Sequence, residues 1–106
     1  MVPLIPVLGV PVLNRGDLAE QMLDSVDVDV NETLIILNGN PDETRTHLAG
    51  RNVTYLDPGF NLGVAASWNF IVRARPAADW WLIVNADITF GTGDLERIVD
   101  APRKPG

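Results

Sequence analysis

The sequence predicts an α/β protein with about four parallel strands joined by crossover helices. Short apolar runs alternate along the chain with segments whose apolar residues recur at helical spacing. Glycine, proline and asparagine separate these segments, as they do in loops. The 106 residues, 46% of them hydrophobic and 21% charged, suit one globular domain. Alternation of strands and helices favours a parallel sheet with right-handed crossovers.

The first strand and helix are the clearest elements. Leu4–Leu13 is nearly all Val, Leu, Ile and Pro, which predicts a strand buried on both faces. Pro11 predicts an irregular end to this strand, because proline cannot donate a hydrogen bond to a sheet ladder. Helical spacing begins after Asn14-Arg15-Gly16, and we expect Asp17 to be the N-cap.

The later elements follow from the same alternation. We expect this strand, helix and loop pattern to fill residues 1–100 as one domain, with 101–106 as a flexible Pro-rich tail. The predicted elements are a strand at 33–37, a helix at 42–49, a strand at 53–56, a helix at 64–74, a strand at 80–84 and a helix at 94–99.

Composition restricts the possible partners and ligands. Fourteen acidic against eight basic residues, a net charge of −6, disfavour nucleic acid as a partner. No apolar run reaches the roughly 18 residues of a membrane span, and the start lacks signal-peptide features, so we expect a cytoplasmic protein without a transmembrane segment. With no cysteine, a metal needs oxygen ligands or the single histidine, His47. A phosphate ligand would need a divalent cation, backbone N–H groups or a helix N-terminus to offset repulsion.

Polar residues follow each predicted strand, where parallel sheets bind their ligands. Asn85 and Asp87 lie two positions apart on an extended strand end, so their side chains point to the same side. This spacing suits a hard cation beside a sugar hydroxyl or a water molecule. A second interpretation is that Asp87 only caps the turn after the strand. The segment Gly59–Gly63 fits neither the dinucleotide nor the P-loop glycine motif, and Ser67 lacks a nucleophile elbow.

Four motifs in order give the chain a family resemblance over Met1–Asp100. The sequence resembles the amino-terminal, nucleotide-sugar-binding half of family 2 glycosyltransferases, inverting enzymes of the A-type fold, and especially their rhamnosyltransferase-like members. The most specific motifs are Asn61–Asn69 and Val84–Ile88, which have the separation usual in the family. Val10–Arg15 and Asn38–Thr44 are similar to its first strand end and second-strand loop. The resemblance implies a truncated, Rossmann-like nucleotide-diphospho-sugar transferase fold.

The resemblance also implies ligands and site residues. The donor would be a UDP-, GDP- or dTDP-linked sugar, with Mn²⁺ or Mg²⁺ held by Asp87 as the metal-binding acid of a D-x-D-like motif. The second-strand loop and Asn14 would lie around the nucleobase, and Asn61 and Gly63 near the ribose and diphosphate. The predicted cofactor-binding residues are Asn14, Arg15, Asn38, Asn61, Gly63, Asn85 and Asp87.

Two positions depart from the family pattern. Leu37 stands where many members carry an aspartate that contacts the base, which leaves the nucleobase open. Asn85 replaces the first aspartate of the stricter metal motif. The acceptor half and its general base have no counterpart in the sequence, so we expect a natural short form or a fragment, and transferase activity by this chain alone stays open. Asp94, Glu96 and Asp100 follow the fourth strand, but the pattern assigns none of them as base.

Two other functions compete with donor binding. A degenerate, non-catalytic domain would act as an oligomerising or partner-binding module, and we expect a homo-oligomer because a shortened fold exposes a sheet edge. A nucleotidyltransferase-like domain would share the same sheet. The absence of a basic glycine-rich loop after the first strand argues against that third function.

Overall fold

The computed structural model of the protein describes residues 5–100, so the first residue of the predicted first strand and the predicted tail at 101–106 lie outside the described residues. Strands and helices alternate throughout, as the sequence predicts. The elements are β1 (Ile5–Val12), α1 (Gly16–Asp24), β2 (Val30–Leu37), α2 (Pro41–His47), β3 (Thr54–Leu56), α3 (Val64–Ala74), β4 (Trp81–Ile83) and α4 (Asp94–Asp100).

The strands form one parallel sheet in the order β3-β2-β1-β4, which confirms the predicted fold class. The chain moves outward from β1 to β3 and then crosses to the other side of β1 to make β4. Because right-handed crossovers change face when the direction of travel reverses, α3 lies on the opposite face from α1 and α2. The strand order therefore reverses between β1 and β4, and a ligand site is expected there.

The two faces of the sheet carry separate clusters of buried side chains. Residues of α1 and α4, such as Met22 and Leu95, pack with Leu8 and Val10 on one face. On the other face, Ile71 of α3 packs against a smaller group that contains Val7, Leu34 and Ile36. Neighbouring residues such as Leu34 and Ile35 of β2, or Val7 and Leu8 of β1, thus point into different clusters, as the period of a strand requires.

Helix α3 lies very close to the central strand. A Cβ atom built on Gly9 would be 2.6 Å from Cδ1 of Ile71, so only glycine permits this approach. The adjacent residues Trp80 and Trp81, at the start of β4, pack on opposite faces, as the two-residue period of an extended chain requires. The Trp81 indole also donates to the Arg75 carbonyl at 3.0 Å. These contacts fix α3 across the sheet and place its N-terminus at the carboxyl edge.

Pro11 does not disturb β1, and the predicted irregular strand end is wrong. It lies within the strand, in register with Ile36. The Val12 carbonyl accepts from Asn38 N at 3.0 Å on the β2 side, whereas the Gly9 carbonyl accepts from Val84 N at 3.0 Å on the β4 side. Pro11 therefore points toward β4, which ends at Ile83, so no ladder bond is lost.

The starts of α1 and α2 differ in their capping. Arg15, not Asp17, is at the N-cap position of α1, and it makes no side-chain capping bond. The Asp17 carboxylate instead pairs with the Arg15 guanidinium, which explains why the predicted cap is wrong. In α2, the Asn40 side chain accepts from the N–H groups of Asp42 and Glu43 at 3.0 and 3.2 Å.

Candidate functional site at the strand-order reversal

A cavity of about 450 Å³ opens beyond the carboxyl ends of β1, β2 and β4. It lies at the reversal of strand order, where parallel sheets bind their ligands. All of the predicted binding residues except Asn14 line it, which brings together side chains from four separate loops. These are Arg15, Asn38, Asn61, Gly63, Asn85 and Asp87.

Asn14 is exposed, does not line the cavity and connects two loops. Its backbone is in the left-handed region, with φ 55°, and its Oδ1 atom accepts a hydrogen bond from Asn40 N. A Cβ atom on Gly39 would be 2.3 Å from that oxygen. Asn14 therefore holds the loop after β1 against the loop after β2, and its side chain does not reach the cavity.

The Arg15 side chain is exposed and held in place by a carboxylate. Its Nε and a terminal nitrogen each lie 2.9 Å from an Asp17 carboxylate oxygen, a bidentate pair. This hydrogen-bonded pair lowers the pKa of Asp17 to about 2 and raises the pKa of Arg15. The pair orients a guanidinium at the cavity without adding net charge there.

A carboxylate on α2 supports the start of α1. Glu43 accepts from Gly16 N at 2.8 Å, and its second oxygen lies 3.1 Å from Nε2 of His47. His47 is therefore part of the contact between α1 and α2 and lies away from the cavity. The first turn of α1, with Arg15 before it, is thus fixed by residues of α2.

Asn38 lines the cavity, but both ends of its amide are engaged by the protein. Its Nδ2 donates to Ser67 Oγ at 2.7 Å, and its Oδ1 accepts from Leu62 N at 3.1 Å. Ser67 Oγ in turn donates to the Gly63 carbonyl at 2.6 Å. In the sequence, Ser67 is one of the small residues of the motif 61–69 and lacks the features of a nucleophile; in the structure its hydroxyl holds the loop before α3.

The N-terminus of α3 meets the cavity at Gly63 and Val64. Gly63 has φ 77° and no side chain to cap the helix, and no acidic residue lies in the first turn. The first backbone N–H groups of a helix have no intrahelical partner, so they are available to an anion. Asn61 accepts from Gly63 N at 2.9 Å and shapes the turn that leads into the helix.

The loop after β4 presents two polar side chains to the cavity. Asn85 and Asp87 are exposed, whereas Ala86 between them is buried. The turn is closed by its backbone, with Ile88 N donating to the Asn85 carbonyl at 3.3 Å. Within residues 5–100, neither side chain makes a hydrogen bond or ion pair. Asp87 therefore does not act as the turn cap that the second interpretation required.

The oxygen atoms at this loop could supply part of the coordination of a cation whose other ligands are phosphate oxygens and water. In the part of the chain that the structure describes, no three His, Cys, Asp or Glu side chains converge as a complete metal site. Asp87 and Asn85 offer one carboxylate and one amide oxygen. Mg²⁺ is commonly held by one or two carboxylates together with substrate phosphates and water. The residues present thus fit a metal shared with a phosphate compound.

Asp94, one of the acids that follow β4, is engaged elsewhere. Its carboxylate accepts from Gly91 N at 2.8 Å and pairs with Arg97. The bond from Gly91, followed by that from Arg97, lowers the pKa of Asp94. A carboxylate with a lowered pKa is a weaker base, and Asp94 does not line the cavity.

The apolar part of the cavity wall was not predicted. Leu13 and Val64, 52% and 59% exposed, belong to it. The other apolar lining residues are Pro11, Leu18 and Ala86. In the sequence these residues look the same as core residues, and only the strand order shows which of them face a cavity. Leu37, by contrast, is 2% exposed and points into the core, so it cannot touch a ligand.

The chain is thus an α/β protein with a cavity at the carboxyl edge of a parallel sheet. Residues 8–106 match the family described as glycosyl transferase family 2, and the chain belongs to that family. The match confirms the resemblance seen in the sequence motifs. No curated protein matches the chain. Within residues 5–100, none of the helices is long and apolar enough to cross a membrane.

Proposed function

We propose that the cavity is a donor site, which binds the nucleoside diphosphate part of a nucleotide sugar together with a divalent metal. The main support is the convergence of the predicted binding residues, all except Asn14, on one cavity at the reversal of strand order. Membership of the glycosyltransferase family supplies the ligand class. The proposal covers UDP-, GDP- and dTDP-linked sugars.

Asp87 would hold the metal, Mn²⁺ or Mg²⁺, with the Asn85 side chain beside it. A bound metal ion neutralises the diphosphate and stabilises the nucleoside diphosphate as it leaves. The protein has a net charge of −6, so a diphosphate needs this compensation. The absence of an internal partner for Asp87 within residues 5–100 supports the proposal, because its carboxylate oxygens are free to act as ligands.

The remaining cavity wall suits the nucleoside and phosphates. Leu13, Leu18 and Pro11 offer an apolar surface of the kind that packs against a nucleobase. Arg15 and the N-terminus of α3 supply donors for anionic oxygens. Because Leu37 points into the core, side-chain recognition of the base at that position is absent, and the backbone of the neighbouring loop would contact the base instead.

Thermal unfolding tests the proposal. UDP, GDP and dTDP would each be added with Mn²⁺ or Mg²⁺, and the metal alone, the nucleotide alone and inorganic diphosphate with metal would be controls. A ligand at about 100 times its Kd stabilises the folded state by about 2.7 kcal/mol, which gives a clear rise in Tm. We expect this rise for at least one nucleotide with metal. No rise with any of them would contradict donor binding.

A self-associating, non-catalytic domain is the second candidate. Among the described residues, β4 pairs only with β1, so its outer edge is unpaired there. Large apolar side chains are also exposed, among them Trp68 at 45% and Ile98 at 43%. Such features favour pairing with a second copy of the chain. Sedimentation velocity over a range of concentrations tests this: a monomer at the highest concentration would contradict it.

A further inference from the structure

We propose that Asn38 and Ser67 form a positioning pair, which holds the segment Asn61–Gly63 and the start of α3 in the shape of the cavity wall. The pair should thereby strengthen ligand binding, and this part of the proposal rests on the proposed donor site. The pair should also keep residues 61–67 ordered in the ligand-free protein. This part does not rest on the donor site, so the two parts can be tested separately.

Both residues of the pair are polar and buried. Asn38 follows β2 and is 6% exposed, and Ser67 lies on α3 and is fully buried. A buried polar group costs free energy unless its hydrogen bonds are satisfied. The bond of 2.7 Å from Asn38 Nδ2 to Ser67 Oγ joins two elements that are 29 positions apart in sequence.

The pair is attached to the loop at two neighbouring residues. Leu62 N donates to Asn38 Oδ1 at 3.1 Å, and the Gly63 carbonyl accepts from Ser67 Oγ at 2.6 Å. The same carbonyl also accepts from Ser67 N at 3.1 Å. Hydrogen bonds therefore run from Leu62 through both side chains and back to Gly63, and they close a ring around this part of the loop.

Few other contacts connect this loop with the rest of the described structure. Gly63 has φ 77°, and glycine has the largest backbone freedom to lose. Asp57 lies 4.0 Å from the Arg45 guanidinium, and Leu62 packs partly against the core on this face of the sheet. The other bonds of Asp57 and Asn61 are local, each accepted from a backbone N–H two residues further on. The Phe60 side chain is 66% exposed. Without the pair, a ligand would have to order this segment on binding, which lowers its affinity.

The role of Asn38 thus differs from the contact with the nucleobase that the family resemblance implied for its loop. Its amide bonds hold Leu62 and Ser67, while Gly63 and Asn61 form the surface that the ligand meets. Asn38 would act on the ligand through the loop, as a positioning residue.

Hydrogen exchange of the ligand-free protein tests whether the pair keeps residues 61–67 ordered. In Ser67→Ala, we expect exchange at residues 61–67 to accelerate by about tenfold or more, with the strands unchanged. Ser25→Ala is the matched control: the Ser25 hydroxyl accepts from Phe90 N at 2.9 Å and donates to the Met22 carbonyl at 2.6 Å, away from the cavity. Unchanged exchange at 61–67, or a uniform increase over the whole chain, would overturn the proposal.

Ser67→Thr keeps the hydroxyl and separates the hydrogen bonds from packing. We expect slow exchange at 61–67 to be retained in this variant, including the case in which Ser67→Ala fails to fold. If Ser67→Thr exchanges as fast as Ser67→Ala, the hydroxyl is not the cause and the proposal fails.

Titration with UDP and Mn²⁺, or with the nucleotide that stabilises the wild type most, tests whether the pair strengthens ligand binding. We expect Kd to rise about tenfold in Ser67→Ala and to stay unchanged in Ser25→Ala, at a temperature at which both are folded. Tight binding by the wild type with an unchanged Kd in Ser67→Ala would overturn the positioning role. No binding by the wild type would overturn the donor site, and the exchange result would then show only a structural role.

Discussion

The loops after β1 and β2 and the loop after β4 meet at the same edge of the sheet, yet their polar side chains behave differently. Asn14 bonds to Asn40 N, and Asn38 bonds to Leu62 N and Ser67 Oγ. Asn85 and Asp87 make no such bonds within residues 5–100. The first group connects the loops that form the cavity wall, whereas the side-chain oxygens of the second group are not engaged by the described residues.

Under the proposed function, this difference separates polar residues that stabilise the fold from polar residues that bind the ligand. A polar side chain that satisfies backbone groups contributes to folding, and where the bond is buried, as at Asn38, its loss leaves a buried group unpaired. A polar side chain that faces solvent contributes little to folding, so its loss matters only when a ligand binds. Variants at the two groups should therefore change different quantities.

The largest effect on stability is expected from Gly39→Ala. The new Cβ would lie 2.3 Å from Asn14 Oδ1, and 3.0 Å from the Asn14 backbone nitrogen, so the contact between the two loops must shift. Overpacking of this kind costs about 1–3 kcal/mol of the free energy of unfolding. Chemical denaturation measures this loss.

A double variant controls for other effects of Gly39→Ala. Asn14→Ala removes the side-chain oxygen that the new methyl meets, so Gly39→Ala should cost less in that background. Equal costs in both backgrounds would show that the contact with the Asn14 side chain is not the cause.

The next effect is expected from Asp87→Asn, and it concerns ligand binding. Loss of the carboxylate should weaken metal-dependent binding of a nucleoside diphosphate by about tenfold or more, since a charged ligand of the metal is removed. The free energy of unfolding without ligand should stay within about 0.5 kcal/mol of the wild type. Calorimetric titration with and without Mg²⁺ measures the first quantity.

Asp79→Asn is the matched control for that prediction. Asp79 is also exposed and carries the same charge, but it precedes β4 and does not line the cavity. Its replacement should leave binding unchanged. Equal weakening by both variants would indicate a general effect of net charge instead of a site at Asp87.

A smaller effect is expected from Asn14→Ala. The variant removes one hydrogen bond between exposed loops, which corresponds to a loss of about 1 kcal/mol in the free energy of unfolding. Affinity for the nucleotide should change less than in Asp87→Asn, because Asn14 does not line the cavity. A larger loss of affinity than in Asp87→Asn would contradict the assignment of Asn14 to the support of the cavity wall and of Asp87 to ligand binding.

The smallest effect is expected from the pair of Asp17 and Arg15 as pH falls. The pKa of Asp17 is lowered to about 2 from an ordinary 3.8, so its contribution is full above the unfolded value and is lost as pH falls toward 2. Because both side chains are exposed, this contribution is small. The Tm difference between wild type and Asp17→Asn should shrink between about pH 4 and pH 2; a constant difference would contradict this.

Much of the fold could be predicted because its signals are local. The apolar runs and helical spacing gave all the elements, and α3 was predicted with the bounds that it has, Val64–Ala74. Asx and glycine loops marked the strand ends, and the family motifs fall on them. The parallel sheet follows from the alternation alone.

The bonding of individual polar residues could not be predicted, because it depends on contacts that are distant in sequence. Asn38 and Ser67 meet only when α3 has crossed the sheet. Pro11 costs no ladder bond because β4 ends at Ile83, beside Gly9. Asp17 does not cap α1 because its carboxylate pairs with Arg15. Sequence spacing selects which residues reach the edge, whereas tertiary packing decides which of them are left for a ligand.

The most direct test of the donor site is paramagnetic broadening of backbone amide signals in NMR spectra, with Mn²⁺ and the nucleoside diphosphate that binds, and with Mg²⁺ as the diamagnetic control. The account predicts that amides at residues 85–88 broaden first, followed by those at 61–64, and that Asp87→Asn abolishes the effect. Broadening that depends on the nucleotide but centres elsewhere, or that persists in Asp87→Asn, would contradict a metal and diphosphate site at the reversal of strand order.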